Sequence, residues 1–521
     1  MGNHHLGGAQ RRAGTAVMAS TRILLIGATV LAVAVPAVPR QVAVVDPALD
    51  GDAIVRATTG QSEAVAAFAR REGATDVRVL DRLDMVSAHL NATATRALAA
   101  NVYVRTIDAD QAIAASDLGT GGDKSAADTN NGEGDDEERA QLPPSDGKGI
   151  LLGPQYQRFT QTHEGEHSVA VAVVDSGVAE NPELNGKVLA RVDFVNDGAT
   201  TLDPGGHGTF VAGLIAGRST GVDPSAKIVS LRVLNSNGVG RSRDALAAFD
   251  WLLRHHRQYG IGVVNLSWGA PQKVSYHQDV LAAAAESLWF AGLTVIAAGG
   301  NEGSGPATIN TPGSDPFVIT VGSLTLSAKK SATDERESSW SSRGPTLDGF
   351  AKPDILAPGD GIESLRVPGS FLDRTSSSEP NPQLPATYTT MSGTSVAAAV
   401  VSGVAAALLS DSRMTPTRVK SLLVSTASPV RGSATKALRV DAALRWGGRG
   451  VALTPVNRGL LPSKLLLEVI AATLGSANLT WEHLTWESIT WQTITWENIT
   501  WETLTWETVT WESLTWEVRR E

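Results

Sequence analysis

The chain has 521 residues, 42% of them hydrophobic, which is ample for a packed core and too long for one compact unit. It contains no cysteine, which excludes disulfide staples, thiolate zinc sites, iron–sulfur clusters and a cysteine nucleophile. The formal net charge of −10 argues against nucleic acid as a partner, because phosphate binding needs a basic face.

Arg11, Arg12 and Arg22 precede an apolar run from Ile23 to Val35, and small residues around Ala32, Ala34 and Ala37 offer a cleavage site. Residues 1–37 therefore read as an export signal, and the chain as secreted or held at the cell surface. The run falls short of the roughly 20 residues that span a bilayer comfortably, which disfavours an uncleaved anchor. No later segment reads as long and apolar enough to span.

Residues 50–112 predict a small α+β domain. Strands are expected at 53–58, 77–79, 85–90 and 102–107, with helices at 62–72 and 93–100. That β-α-β-β-α-β order is the ferredoxin-like plan. Residues 113–147 then turn to Gly, Ser, Asp, Glu and Asn, with an acidic run at Glu133 and Asp135–Glu138, and predict a disordered linker.

From 148 to 446 strands and helices alternate. Apolar strands are expected at 169–174, 227–234, 262–267, 294–298 and 317–321, with helices at 209–216, 243–255, 279–291 and 394–410. Continuous apolar strands separated by helices predict an α/β domain with a doubly wound parallel sheet. After a linker at 447–475, residues 476–518 repeat Thr-Trp every five residues, from Trp481 to Trp516. Period five fits neither a helix nor a flat strand, and a small β-solenoid would place the rings equivalently. Two uses stay open: an interlocking tryptophan core, or an aromatic platform for cell-wall glycan or another surface ligand.

Chemistry concentrates in four short motifs. Asp175 ends the apolar strand VAVVD, at the edge where open parallel sheets bind ligands. His207 opens a helix within GGHGT, and Ser395 opens a long apolar helix within SGTSVAA. A serine hydroxyl is a weak nucleophile until a base takes its proton; an imidazole titrating near neutrality can do so, and an acid can orient that imidazole. Asn301, in the glycine-rich turn AAGGNEG, is suited to donate to an oxyanion beside the Ser395 backbone N–H.

These motifs resemble the subtilisin-like serine proteases (subtilases), and further matching strings, GVDPSAKIVSLRVL (221–234) and VVNLSWG (263–269), spread the resemblance over residues 148–445. The resemblance implies a serine endopeptidase acting on polypeptides through an acyl-enzyme on Ser395. It implies that Leu266, Ser267, Trp268 and Gly269, with Ala298, Gly299 and Gly300, bind substrate as an added strand, and that Asn310 lies near the primary specificity pocket. It further implies that the N-terminal domain is an inhibitory propeptide whose last strand leads its tail to the active site. No cofactor is required for this chemistry.

Three departures stand out. Ala399 and Val400 replace the family's Pro-His pair after the nucleophile, and Phe210 replaces the second histidine of HGTH. The segment from His207 to Pro224 lacks the insertion that forms a calcium loop in many relatives, so no metal residues are assigned and a structural calcium elsewhere stays open. His163-Glu-Gly-Glu-His167 matches a zinc-protease pattern formally, but Gly165 and the strand that follows deny it the helix it needs. A second reading, a decayed protease that binds glycan or a partner through its Trp repeat, is disfavoured by the presence of all four catalytic residue types.

Overall fold

The computed structural model describes residues 43–44, 49–116, 150–152, 156–157, 168–326, 335–375, 386–446, 453–463 and 466. The expected export signal, the acidic run, the His163–His167 stretch and the Trp repeat lie outside the described residues.

The N-terminal domain runs β1 (Ala43–Val44), β2 (Gly51–Ala57), α1 (Ser62–Arg71), β3 (Thr75–Leu80), β4 (Met85–Leu90), α2 (Ala92–Ala99) and β5 (Val104–Ala109). The strands form one sheet in the order β1-β5-β2-β4-β3. Val65, Ala66 and Ala69 recur at helical spacing and pack on Val55, Val86, Leu90 and Ile107 of the sheet, giving this domain its own core. Asn91 starts α2 by accepting the N–H groups of Thr93 and Ala94. Part of the opposite side of the sheet is covered as well. Ile54, Leu80, Leu83 and Met85 pack into the core of the larger domain.

The linker expected from 113 begins later. Ala112–Ala115 form β6, which leaves the N-terminal domain and lies between β10 (Val239–Arg241) and β12 (Trp268–Pro271) of the larger domain. Three alanines and one isoleucine carry little strand propensity of their own, and the strand exists because both of its edges are paired.

The larger domain is built on an eight-stranded sheet. Its parallel run is β8 (Val188–Asp193), β9 (Lys227–Arg232), β7 (Ala170–Asp175), β11 (Ile261–Leu266), β13 (Thr294–Ala298), β15 (Ile319–Thr325) and β17 (Ile355–Pro358); β16 (Arg336–Glu337) joins antiparallel. Every residue of β7 is buried, as covering both faces requires. Helices α3 (His207–Ala216) and α6 (Thr394–Asp411) pack on each other, as do α4 (Ser242–Tyr259) and α5 (Val280–Phe290). A short strand, β14 (Asn310–Thr311), pairs with β12.

One sequence expectation needs correction: α6 is long and apolar enough to cross a membrane. Its place in the fold explains that composition, because 83% of it is buried against β11, β13 and β15.

Candidate active site

Asp175 is the last residue of β7 and His207 the first of α3, so strand end and helix start bring acid and base together. The Asp175 carboxylate accepts the His207 Nδ1–H at 2.7 Å and its own neighbour's N–H, from Ser176, at 2.7 Å. Both side chains are buried. Because a carboxylate can only accept here, the proton sits on Nδ1 and Nε2 is left as the basic nitrogen. Gly208 permits this approach: a Cβ there would lie 2.0 Å from the Gly177 carbonyl oxygen and 3.2 Å from Asp175 Cβ.

Asp203 holds the surrounding loop. Its buried carboxylate accepts the Ser176 hydroxyl (2.8 Å), the Gly206 N–H (2.7 Å) and both the N–H and hydroxyl of Thr209 (2.8 and 2.6 Å). Ser176 Oγ in turn accepts the Gly208 N–H at 3.0 Å. The residue after the acid and the residues flanking the base are thus tied to one anion. Burial pushes the Asp203 carboxyl up, against four hydrogen bonds that favour its charge.

Ser395 lies in the first turn of α6, where helix-terminal N–H groups are unpaired within the helix. Its hydroxyl donates to the Ser267 carbonyl at 3.0 Å. The Ser267 hydroxyl donates back to the Ser395 carbonyl, and Asn265 joins Ser267 to Ser402, about two turns further along the same helix. Asn301 is fixed from behind: its Oδ1 accepts the N–H and hydroxyl of Thr394, each at 3.0 Å. That leaves its Nδ2 pointing towards the space beside Ser395.

This space is filled by the end of β6. The Ser116 carbonyl oxygen accepts Asn301 Nδ2 at 2.5 Å and the Ser395 N–H at 3.4 Å. The Ser116 N–H donates to the Ser267 carbonyl at 3.1 Å. Upstream, Ala115 and Ala114 pair with Trp268 and Gly269, while Ala114 and Ile113 pair with Val239 and Gly240. A strand added between two edges, with one carbonyl aimed at a pair of donors beside a serine, is a bound-peptide geometry.

Of the residues expected to bind a peptide as an added strand, Ser267, Trp268 and Gly269 pair through their backbone with Ser116, Ala115 and Ala114. Leu266 and Ala298 instead sit inside the central sheet, paired with Val174 and Val321. Gly299 and Gly300 also pair elsewhere: Gly299 N–H donates to Val321, its carbonyl accepts from Asn310, and Gly300 N–H donates to the Thr394 hydroxyl. The second edge is therefore β10, whose three residues, Val-Gly-Arg, carry no strand signal in the sequence.

Asn310 is buried next to Gly269 and Gly300, and its Nδ2 donates to Glu302 Oε1 at 3.0 Å. Glu302 also accepts the Ser342 hydroxyl at 2.8 Å. Neither Glu302 nor Asp203 stood out in the sequence. For Asp203 the signal was present, an acid shortly ahead of a helix start, but it reads equally as a turn-former in Asp-Pro-Gly-Gly. Phe210, Ala399 and Val400, where the sequence departs from HGTH and the Pro-His pair, are fully buried and serve packing.

The Subtilase family profile matches residues 166–447, more than half of the chain. The serine protease AprX of Bacillus subtilis (strain 168) is 38% identical over 279 residues, covering 51% of this chain and 62% of that protein. The alkaline serine exoprotease A of Vibrio alginolyticus is 32% identical over 316 residues, covering 59% and 52%. The chain thus spans less than two thirds of the length of these relatives. Fervidolysin from Fervidobacterium pennivorans, a keratinolytic enzyme related to subtilisin, shares the fold at a TM-score of 0.58 and 22% identity, over 78% of this chain and 63% of that one.

Proposed function

Because the chain belongs to the subtilase family, we propose that it is a serine endopeptidase made as its own inhibited precursor. Ser395 Oγ attacks the carbonyl carbon of the scissile bond while His207 Nε2 takes its proton. The Asp175 carboxylate keeps the Nδ1–H in place and stabilises the imidazolium. Asn301 Nδ2 and the Ser395 N–H hold the oxyanion, and they are already positioned, so little reorganisation opposes the reaction. Collapse expels the amine, which takes the proton from His207, and water then releases the acyl group by the same steps reversed.

The observation that carries this reading is the Ser116 carbonyl, held by Asn301 and Ser395 at the end of an added strand. It supports residues 50–116 as an intramolecular inhibitor and the bond between Ser116 and Asp117 as the maturation cut. Glu302 and Asn310, beside the side-chain-free Gly300, would then shape the pocket for the residue before the cut. The basic and apolar N-terminus supports export.

A fluorophosphonate probe tests the enzymatic reading. Labelling of the matured chain and none of Ser395→Ala is the expected result; equal labelling of both would refute Ser395 as the nucleophile.

A further inference from the structure

Residues 453–466 follow the region matched by the family profile and read in sequence as a connecting stretch. In the structure the described residues among them, 453–463 and 466, form an arm held at several points along the larger domain. Thr454 is held by Ser421 and Ser425 on the helix Pro416–Thr426, and Asn457 donates to the Phe317 carbonyl at 3.1 Å. The Leu461 carbonyl accepts the Tyr276 hydroxyl at 2.7 Å.

The next anchor is a buried acid. Helix α5 reads VLAAAAESLWF, and Glu286 is its one charged residue, fully buried. Both of its carboxyl oxygens accept the Ser463 N–H, at 3.0 and 2.9 Å. A second buried acid, Asp315, adjoins Glu286, and burial beside it pushes the Glu286 carboxyl well up. An ionisable group in an apolar helix is costly unless something satisfies it, and Asp315 and the Ser463 N–H of the arm do so together. Glu286 thus gives the arm a buried seat on α5.

Beyond Ser463 the arm reaches the N-terminal domain. Leu466 is 6% exposed and lines a cavity of about 230 Å³ together with Leu83 and Met85 of that domain and Leu253, Ala283 and Ser287 of the larger one. The same corner of the N-terminal domain is gripped by α4: the Arg82 N–H donates to Asp250 at 2.8 Å and Arg254 pairs with Asp81. This grip lies about 12–18 Å further along α4 than Ser242, where the segment entering β6 is bound, at 1.5 Å per residue. Cutting the bond after Ser116 leaves it untouched.

We infer that residues 453–463 and Leu466 form a latch on the N-terminal domain: seated on Glu286, the arm keeps Leu466 in the cavity with Leu83 and Met85 and slows that domain's departure after the cut. The inference rests on the precursor reading above for its biological sense, but not for its measurement.

The test uses the full chain carrying Leu466→Ala or Leu466→Asp. After maturation, release of the N-terminal fragment is followed by size exclusion over time. Release should quicken roughly tenfold or more for Leu466→Asp, as withdrawal of one buried leucine contact requires, and less for Leu466→Ala, with peptide turnover of the released enzyme unchanged. In an uncut Ser395→Ala background, hydrogen exchange of the 83–90 amides should rise in Leu466→Asp while those of 394–411 stay as they were. Unchanged release together with unchanged exchange would overturn the latch, and so would exchange raised equally throughout the chain. A chain that neither cuts itself nor labels with fluorophosphonate would sink the protease reading alone, and the exchange experiment would still decide the latch.

Discussion

The carbonyl oxygen of Ser116 lies 2.5 Å from the side-chain nitrogen of Asn301, and the backbone N–H of Ser395 points at the same oxygen. These donors come from a glycine-rich turn and from the first turn of α6, and Thr394 ties the two together: its hydroxyl and N–H donate to Asn301 Oδ1, and its hydroxyl also accepts the Gly300 N–H. Asn301→Ala removes one donor and leaves the strand pairing of β6 intact. Turnover should fall about 10²–10³-fold, with KM nearly unchanged, since an oxyanion donor acts mainly in the transition state. Steady-state kinetics on a peptide substrate check both numbers; a loss confined to KM would assign Asn301 to ground-state binding.

Gly208 is where the acid and base meet the chain. Gly208→Ala puts a methyl group 2.0 Å from the Gly177 carbonyl, so strand end and helix start must separate. An ångström of misplacement costs about 10²-fold in rate, and turnover should drop by at least that much. Normal kinetics in this variant would contradict the packing described.

Asp203 acts through its neighbours, as a positioning residue. Asp203→Ala leaves four donors from Ser176, Gly206 and Thr209 without their acceptor in a buried loop. Denaturant unfolding should show a loss of about 2–4 kcal/mol. Turnover should fall further in Asp203→Ala than in Asp203→Asn, which keeps one acceptor oxygen, and a variant as stable as wild type would remove the clamp from the account.

The interface between the two domains should respond to acid. Burial pushes the Asp244 carboxyl up from 3.8 to about 6, opposed by Arg243 and Arg78, with Asp110 adding to the rise and Arg241 opposing it. A raised pKa in the closed form means that ionisation of Asp244 disfavours closure: its penalty is absent below about pH 4 and complete above about pH 6. Asp244→Asn should therefore hold the N-terminal domain more tightly than wild type above pH 6 and equally near pH 4. Retention of the cut fragment, measured across that range, gives the difference curve, and a difference of opposite sign would count against it.

The register of β6 also names a preferred substrate. Ile113, three residues ahead of Ser116, is 1% exposed and packs into the core, and Ala114, Ala115 and Ser116 are small. A fluorogenic peptide with Ile-Ala-Ala-Ser before the cut should exceed its Asp-Ala-Ala-Ser counterpart roughly 10–100-fold in kcat/KM, the worth of one buried aliphatic side chain. Equal rates would show that this position does not select.

The sequence exposed the parts of the site that sit at ends of regular elements. Asp175, His207 and Ser395 each close or open a segment whose apolar pattern is unambiguous, so their strand-end and helix-start positions could be read directly. The N-terminal elements were legible for the same reason, since Val65, Ala66 and Ala69 or Met85–Leu90 repeat at fixed periods. What escaped was whatever depends on distant partners. Ala112–Ala115 and Val239–Arg241 become strands only by pairing with one another and with β12. Glu286 finds its partner Ser463 177 residues further on, and the sequence after 453 has no period of its own. Gly299 and Gly300 fitted an extended cleft wall by resemblance, but Val321, Asn310 and Thr394 take up the backbone groups that such a role would need.

The measurement that bears most directly on the whole account is intact mass with N-terminal sequencing of the purified chain. Self-cleavage by Ser395 predicts a new terminus at Asp117 in the wild type and an uncut bond after Ser116 in Ser395→Ala. The same terminus in both proteins, or a wild-type terminus before Gly51, would contradict it.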